Sequence, residues 1–187
     1  GGAEKCLESG IDCYMSGGTA QSLGIQGARR VHTMGELIPC RIGGFTVYPF
    51  GTEHDAAEPF GFIILHREMG MTLFATDTYF LEYSFRGLNN ILIECNYSMD
   101  ILDANIRAGK LAEAVRKRTT RSHCSFETCR GILLANDLSA VNNIVLIHLS
   151  EGNSDAKKFR GGIQEATGKT VHVAEPGMVI PFDKTPF

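Results

Sequence analysis

The stretch Asn89-Asn-Ile-Leu-Ile-Glu-Cys95 places the tightest limit on what this chain can fold into. It is a nearly continuous apolar run of strand length, as expected of a central strand buried on both faces. Such a strand needs covering layers, and its neighbours supply them. Met99 to Arg118 has a helical pattern with a weak point at Gly109. Ser125 to Ala135 is helical in periodicity, with Ser125 as N-cap. Asn143 to Ile147 is again a strand. Ser154 to Ala166 is a helix capped by Ser154 and stopped near Gly168, and Thr170–Val173 and Met178–Ile180 are short terminal strands.

The first third of the chain is richer in strands. Gly1 to Glu8 is the tail of a helix stopped by Gly10, and Ile11 to Met15 is a short strand. Gly17 to Leu23 forms a small helix with Thr19 as its candidate cap. Arg30–His32 and Glu36–Arg41 are extended, the second at an edge because it contains Pro39. Gly43-Gly44 turns into a long strand ending at His54, and Glu68–Gly70 precedes a strand ending at Asp77. Hairpin-like strands followed by alternating strand and helix predict sheets covered by helices, in the α/β (α+β) class. The 187 residues are enough for a single domain with its own core, spanning 1–187.

The net charge of −3 advertises no nucleic-acid-binding surface, although a local basic patch remains open. No apolar run approaches the roughly 20 residues of a membrane span, so no membrane partner is expected. Six cysteines, Cys6, Cys13, Cys40, Cys95, Cys124 and Cys129, form no CxxC pair and fit no zinc-finger spacing. They read as reduced, buried small hydrophobes, with a disulfide framework as the lesser alternative. With no secretory leader opening the sequence, the expected setting is the cytoplasm.

Three strand ends carry groups that bind metals: His54 after Phe45–Phe50, Asp77 after Met71–Thr76, and His148 after Asn143–Ile147. Strand ends are where a rigid scaffold presents reactive groups. Two imidazoles and a carboxylate suit borderline cations such as zinc or manganese. Each residue taken singly also has an ordinary reading, as a hydrogen-bonded strand-end His or as the cap in Thr76-Asp-Thr78.

The stretches Thr52-Glu-His-Asp-Ala-Ala-Glu-Pro-Phe-Gly-Phe62, Phe74-Ala-Thr-Asp-Thr78 and Leu146-Ile-His-Leu-Ser150 resemble, in order and spacing, the later motifs of the metallo-β-lactamase-fold hydrolases. Within that family they resemble the YycJ/WalJ type, relatives of ribonuclease Z. The resemblance implies an αββα sandwich with a two-metal site on its rim. In that frame His54 completes the shell of the first metal, Asp77 bridges both, and His148 holds the second. Two divalent ions, zinc or manganese, would supply hydroxide near neutral pH. The HxHxDH motif of the family is absent, so by this resemblance the chain is expected to begin just past the first metal-binding loop. It would then hold only a partial site, and an unpaired sheet edge would favour a homo-oligomer or a complementing N-terminal fragment.

Other residues keep two readings. His123, just before a helix N-terminus, is either a catalytic general acid or phosphate contact, or a solvent-facing or capping residue. Asp55 or Glu58 either orients His54 or shapes its turn. Glu94 and Asn96, ending the central strand on the same rim, either contact substrate or make plain hydrogen bonds. Arg116, Lys117, Arg118 and Arg121 either form a solvated helix face or attract a phosphodiester. His32, His66 and His172 read as ordinary. The expected function is a dinuclear metal-dependent phosphodiesterase or nuclease, with His123 and Asp77 as its catalytic residues. The alternative is a non-catalytic scaffold or association module with vestigial ligands. A thiol-ester or glyoxalase-type hydrolase on the same fold is a third and weaker option, for which the residues offer nothing specific.

Overall fold

Nine strands and six helices follow one another in residues 2–185, the part of the chain that the computed structural model describes. The first elements are α1 (Gly2–Glu8), β1 (Cys13–Ser16), α2 (Gly17–Ser22) and β2 (Val31–Met34). Then come β3 (Cys40–Ile42), β4 (Phe45–Gly51), β5 (Phe60–His66), β6 (Gly70–Ala75) and β7 (Asn90–Glu94). The remainder is α3 (Met99–Arg107), α4 (Glu113–Ser122), α5 (Phe126–Leu134), β8 (Asn143–Ile147), α6 (Ala156–Thr167) and β9 (Thr170–Val173).

Strands β3 to β9 form one seven-stranded sheet in sequence order. β3 to β6 pair antiparallel and β6 to β9 parallel, so the sheet is mixed. β7 lies inside it, as its apolar run requires. β1 and β2 form a separate two-stranded parallel ladder.

Side chains alternate across the large sheet. Leu73, Ile91, Ile144 and Val171 stand in register on adjacent strands and are buried. With Cys129, Ile132 and Leu133 of α5 and Phe159 and Ile163 of α6 they belong to one core cluster. Cys95 and Cys124 lie in the same cluster, and all six cysteines are free thiols. At the N-terminal ends of the parallel strands, asparagines link segments: Asn142 Nδ2 donates to Asp183 O (2.8 Å), and Asn143 Nδ2 of β8 to Asn90 Oδ1 of β7 (3.0 Å).

Several local expectations change. Gly109, at φ 69°, breaks the 99–118 segment into α3 and α4. α2 is capped by Ser16, whose hydroxyl accepts from Thr19 N; Thr19 itself lies inside the helix. α6 is capped by Asp155, which accepts from Lys158 N (3.0 Å), while the Ser154 hydroxyl donates to Ser150 O (2.6 Å). Met178–Ile180 forms no strand. The predicted helix tail is α1, with Gly1 lying outside the described residues. No described helix is long and apolar enough to cross a membrane.

The packing of α6 on α5 gives a sharp contrast between adjacent glycines. A Cβ at Gly161 would meet nothing within 4 Å, whereas one at Gly162 would lie 2.7 Å from the Phe126 ring. Phe126 is itself stacked on Phe159 at 5.1 Å. Helical Gly→Ala normally adds about 0.8–1 kcal/mol. Gly161→Ala is therefore expected to raise stability by about that amount in urea unfolding. Gly162→Ala should lower stability, because the gain is outweighed by overpacking of about 1–3 kcal/mol. Equal effects of the two changes would contradict this packing.

Candidate metal centre

The three parallel strands β6, β7 and β8 end side by side, and the groups just past those ends converge. Asp77 follows β6, Glu94 closes β7 and His148 follows β8. His123 reaches the same place from the segment between α4 and α5. One donor atom from each of Asp77, Glu94, His123 and His148 lies within 4.8 Å of all the others. In open α/β sheets, ligands are held just outside the carboxyl ends of the strands.

Glu94 is the centre of the group, with 0% of its surface exposed. Its Oε1 lies 2.8 Å from His123 Nδ1 and 3.0 Å from His148 Nδ1. Its Oε2 accepts from Thr78 N at 3.0 Å. Asp77 Oδ1 stands 3.4 Å from His148 Nδ1 and 3.7 Å from His123 Nδ1. The hydrogen bond to Glu94 raises the pKa of His123, against the opposing pull of burial. Two carboxylates and two imidazoles form a donor set for a borderline cation. A tetrahedral ion with bonds of 2.0–2.2 Å brings its ligand atoms to about 3.4 Å apart, and four of the donor pairs here lie at 2.8–3.7 Å. By spacing and chemistry the residues fit such an ion.

Asp77 and His148 share a further feature: both are left-handed, at φ 49° and 57°. A left-handed conformation in a non-glycine residue is a local cost that the surroundings must hold in place, and such residues cluster at functional sites. At Asp77 the holding group is Thr78. Its N–H is fixed to Glu94, its hydroxyl donates to Phe80 O (2.5 Å), and Glu53 N donates to that same hydroxyl (3.0 Å). Tyr79 N also donates to Glu53 O at 3.1 Å. The loop after β6 is thereby clasped to the loop that carries His54.

His54 lies beside the cluster, its ring 6.0 Å from that of His123. Its Nδ1 accepts from Ala56 N (3.0 Å), so the backbone of its own turn orients the ring, and Asp55 Oδ1 stands 3.1 Å from the same nitrogen. Glu58, at φ 55°, turns instead to α2, its Oε2 accepting from Gly18 N at 2.5 Å. Asp77 and His148 are thus brought together, with His54 adjacent. Glu94, which the sequence left between substrate contact and plain hydrogen bonding, joins them. The signal for it was a carboxylate inside an apolar strand, since Glu is almost never fully buried without partners. Of the basic cluster, Arg116 is paired with Asp103 at 2.7 Å. Lys117, Arg118 and Arg121 remain exposed.

No protein-family model matches the sequence, and no curated protein matches it by sequence. The three-dimensional comparison does find similar structures. Igni18, a novel metallo hydrolase from the hyperthermophilic archaeon Ignicoccus hospitalis KIN4/I, is similar at TM-score 0.66 and 16% identity, over 96% of this chain and 72% of that one. The metallo-β-lactamase fold protein YhfI from Bacillus subtilis matches at TM-score 0.66 and 14% identity, over 90% of this chain and 64% of YhfI. A diphosphatase from the PhnP family matches at TM-score 0.60 and 11% identity, over 90% of this chain and 56% of that one. This chain therefore spans between 56% and 72% of the length of these three structures. The architecture is the metallo-β-lactamase fold, and at its strand ends it carries a cluster of side chains that could hold a metal ion.

Tyr97 joins the β7 end to the start of α5. Its carbonyl accepts from Phe126 N (2.7 Å), and it bridges to Ser125. Burial pushes its hydroxyl pKa up to about 12. A raised folded-state pKa means stability that is complete below the unfolded value, roughly 10, and is lost as pH rises through the folded one. Phenolate absorbance is therefore expected to show a last step near pH 12 that disappears in Tyr97→Phe. If all tyrosines ionise together near pH 10 in the folded protein, the burial of Tyr97 is contradicted.

Proposed function

We propose that this protein is a metal-dependent hydrolase acting on phosphodiesters, in nucleic acid or nucleotides. The observation that carries the reading is that Asp77 and His148 meet at the ends of adjacent parallel strands, with His123 held beside them by Glu94. Asp77 and His148 are the metal ligands of this proposal, with His54 at the edge of the same site. The cations are two divalent ions, zinc or manganese. When bound, they supply Lewis acidity and lower the pKa of a coordinated water toward neutrality. Further ligands for the second ion would come from another segment or subunit, so self-association or a complementing fragment belongs to the same proposal.

The chain's own residues divide the remaining work. Glu94 Oε1 holds His123 by Nδ1 at 2.8 Å and favours its protonated form. No hydrogen bond engages the other ring nitrogen, Nε2, among the described residues, which leaves it to deliver a proton to a leaving oxygen. The exposed cations Lys117, Arg118 and Arg121, on the helix that leads into His123, favour the approach of a polyanion. Phosphodiesters are preferred over other esters on this account, and the named diphosphatase among the similar structures points to phosphorus chemistry. The six free thiols suit a cytoplasmic setting.

The test is metal content and hydrolysis measured on the same samples. Asp77→Ala and His148→Ala are expected to weaken zinc or manganese binding at least tenfold. His123→Ala should retain metal while lowering kcat on bis(p-nitrophenyl) phosphate by about 10²–10⁴-fold. Loss of metal in His123→Ala would make it a ligand and not the acid. Failure of the metal-loaded protein to hydrolyse any member of a broad phosphodiester panel would sink the reading.

A further inference from the structure

Asn96 stands where three strand-end segments meet. Its N–H donates to Cys124 O at 2.9 Å, and its carbonyl accepts from Ser150 N at 2.8 Å. Its side-chain amide donates to His148 O, also at 2.8 Å. Each segment carries a member of the cluster: Glu94 two residues before Asn96, His123 next to Cys124, and His148 itself. Asn96 is only 7% exposed, so its amide serves the protein interior and not a substrate.

The carbonyl that this amide grips belongs to a left-handed residue. His148 at φ 57° leaves the β8 line just after Ile147, and this turn sends its Nδ1 to Glu94 and Asp77. A backbone in that region persists only when its surroundings over-determine it. Among the described residues, the Asn96 amide is the side chain that donates to the His148 carbonyl. We infer that Asn96 is a positioning residue, which holds His148 in its left-handed turn and so aims the imidazole into the metal centre. The consequence for metal binding rests on the metal-dependent reading above. The consequence for His148 does not, because it holds in metal-free protein.

A merely structural role is separated by Asn143, a second asparagine bonded between strands at the far end of β8. Three variants are compared with the parent protein: Asn96→Asp, which keeps the volume but replaces the donor, Asn96→Ser, and Asn143→Ala. Zinc affinity is read by titration, stability by urea unfolding, and the backbone amide and ring resonances of His148 by NMR in metal-free protein. The Asn96 variants are expected to shift the His148 resonances and to weaken zinc binding about 10–100-fold, as supporting hydrogen bonds around metal ligands do. Asn143→Ala should lose stability with zinc affinity and His148 unchanged. Unmoved His148 resonances in a folded Asn96 variant overturn the inference, and so does a loss of zinc affinity in Asn143→Ala as large as in the Asn96 variants. If the parent protein binds no zinc, the metal reading fails alone, and the His148 resonances still decide the role of Asn96.

Discussion

A carboxylate without exposed surface is the constraint on which the rest of this structure turns. An uncompensated buried charge costs several kcal/mol, and breaking such a pair by removing one partner costs about 3–5 kcal/mol. Glu94 is therefore held in place only together with the Thr78 amide, His123 and His148. Those partners come from the loop after β6, the junction of α4 and α5, and the turn after β8. Satisfying one charge closes three long-range loops at once. The contacts that complete the fold at this end of the sheet are the same ones that assemble the donor cluster.

The parallel strands make this possible. Each pair is joined by a crossover that returns the chain to the same end of the sheet, so residues far apart in the chain become neighbours there. The cost falls on the backbone, at Asp77 and His148, where the chain must leave the strand direction abruptly. Thr78 and Asn96 take up that cost through hydrogen bonds to fixed partners. The opposite end of the sheet is built differently. There Asn142 and Asn143 tie strand starts to the chain end and to Asn90, with no cluster of acids and imidazoles among the described residues.

Much of this was legible in the residues. The run Asn89–Cys95 was strand β7, the break at Gly109 was real, and Ser125 and Gly168 bounded their helices. Asp77 and His148 stood at strand ends and now lie within ion-pair distance of each other. Other features were less accessible. Two adjacent capping residues, Ser154 and Asp155, compete for one helix start, and only the local turn chose Asp155 by giving the Ser154 hydroxyl a carbonyl to bond. Glu94 and His123 each also had an ordinary reading. Their pairing joins residues 29 apart in sequence, and no periodicity reports such a contact.

The sequence by itself determined the elements and the chemistry offered. Hydrophobic period, turn residues and caps are local properties, and they set a sheet with covering helices and acids and imidazoles at strand ends. Only the tertiary structure decided which of those groups meet. Strand order and register turn Asp77, Glu94, His123 and His148 into one cluster and leave His54 beside it. The physical reason is that a buried charge selects its partners by distance in space. That distance exists only once the parallel strands have paired and the left-handed turns at their ends have been pinned.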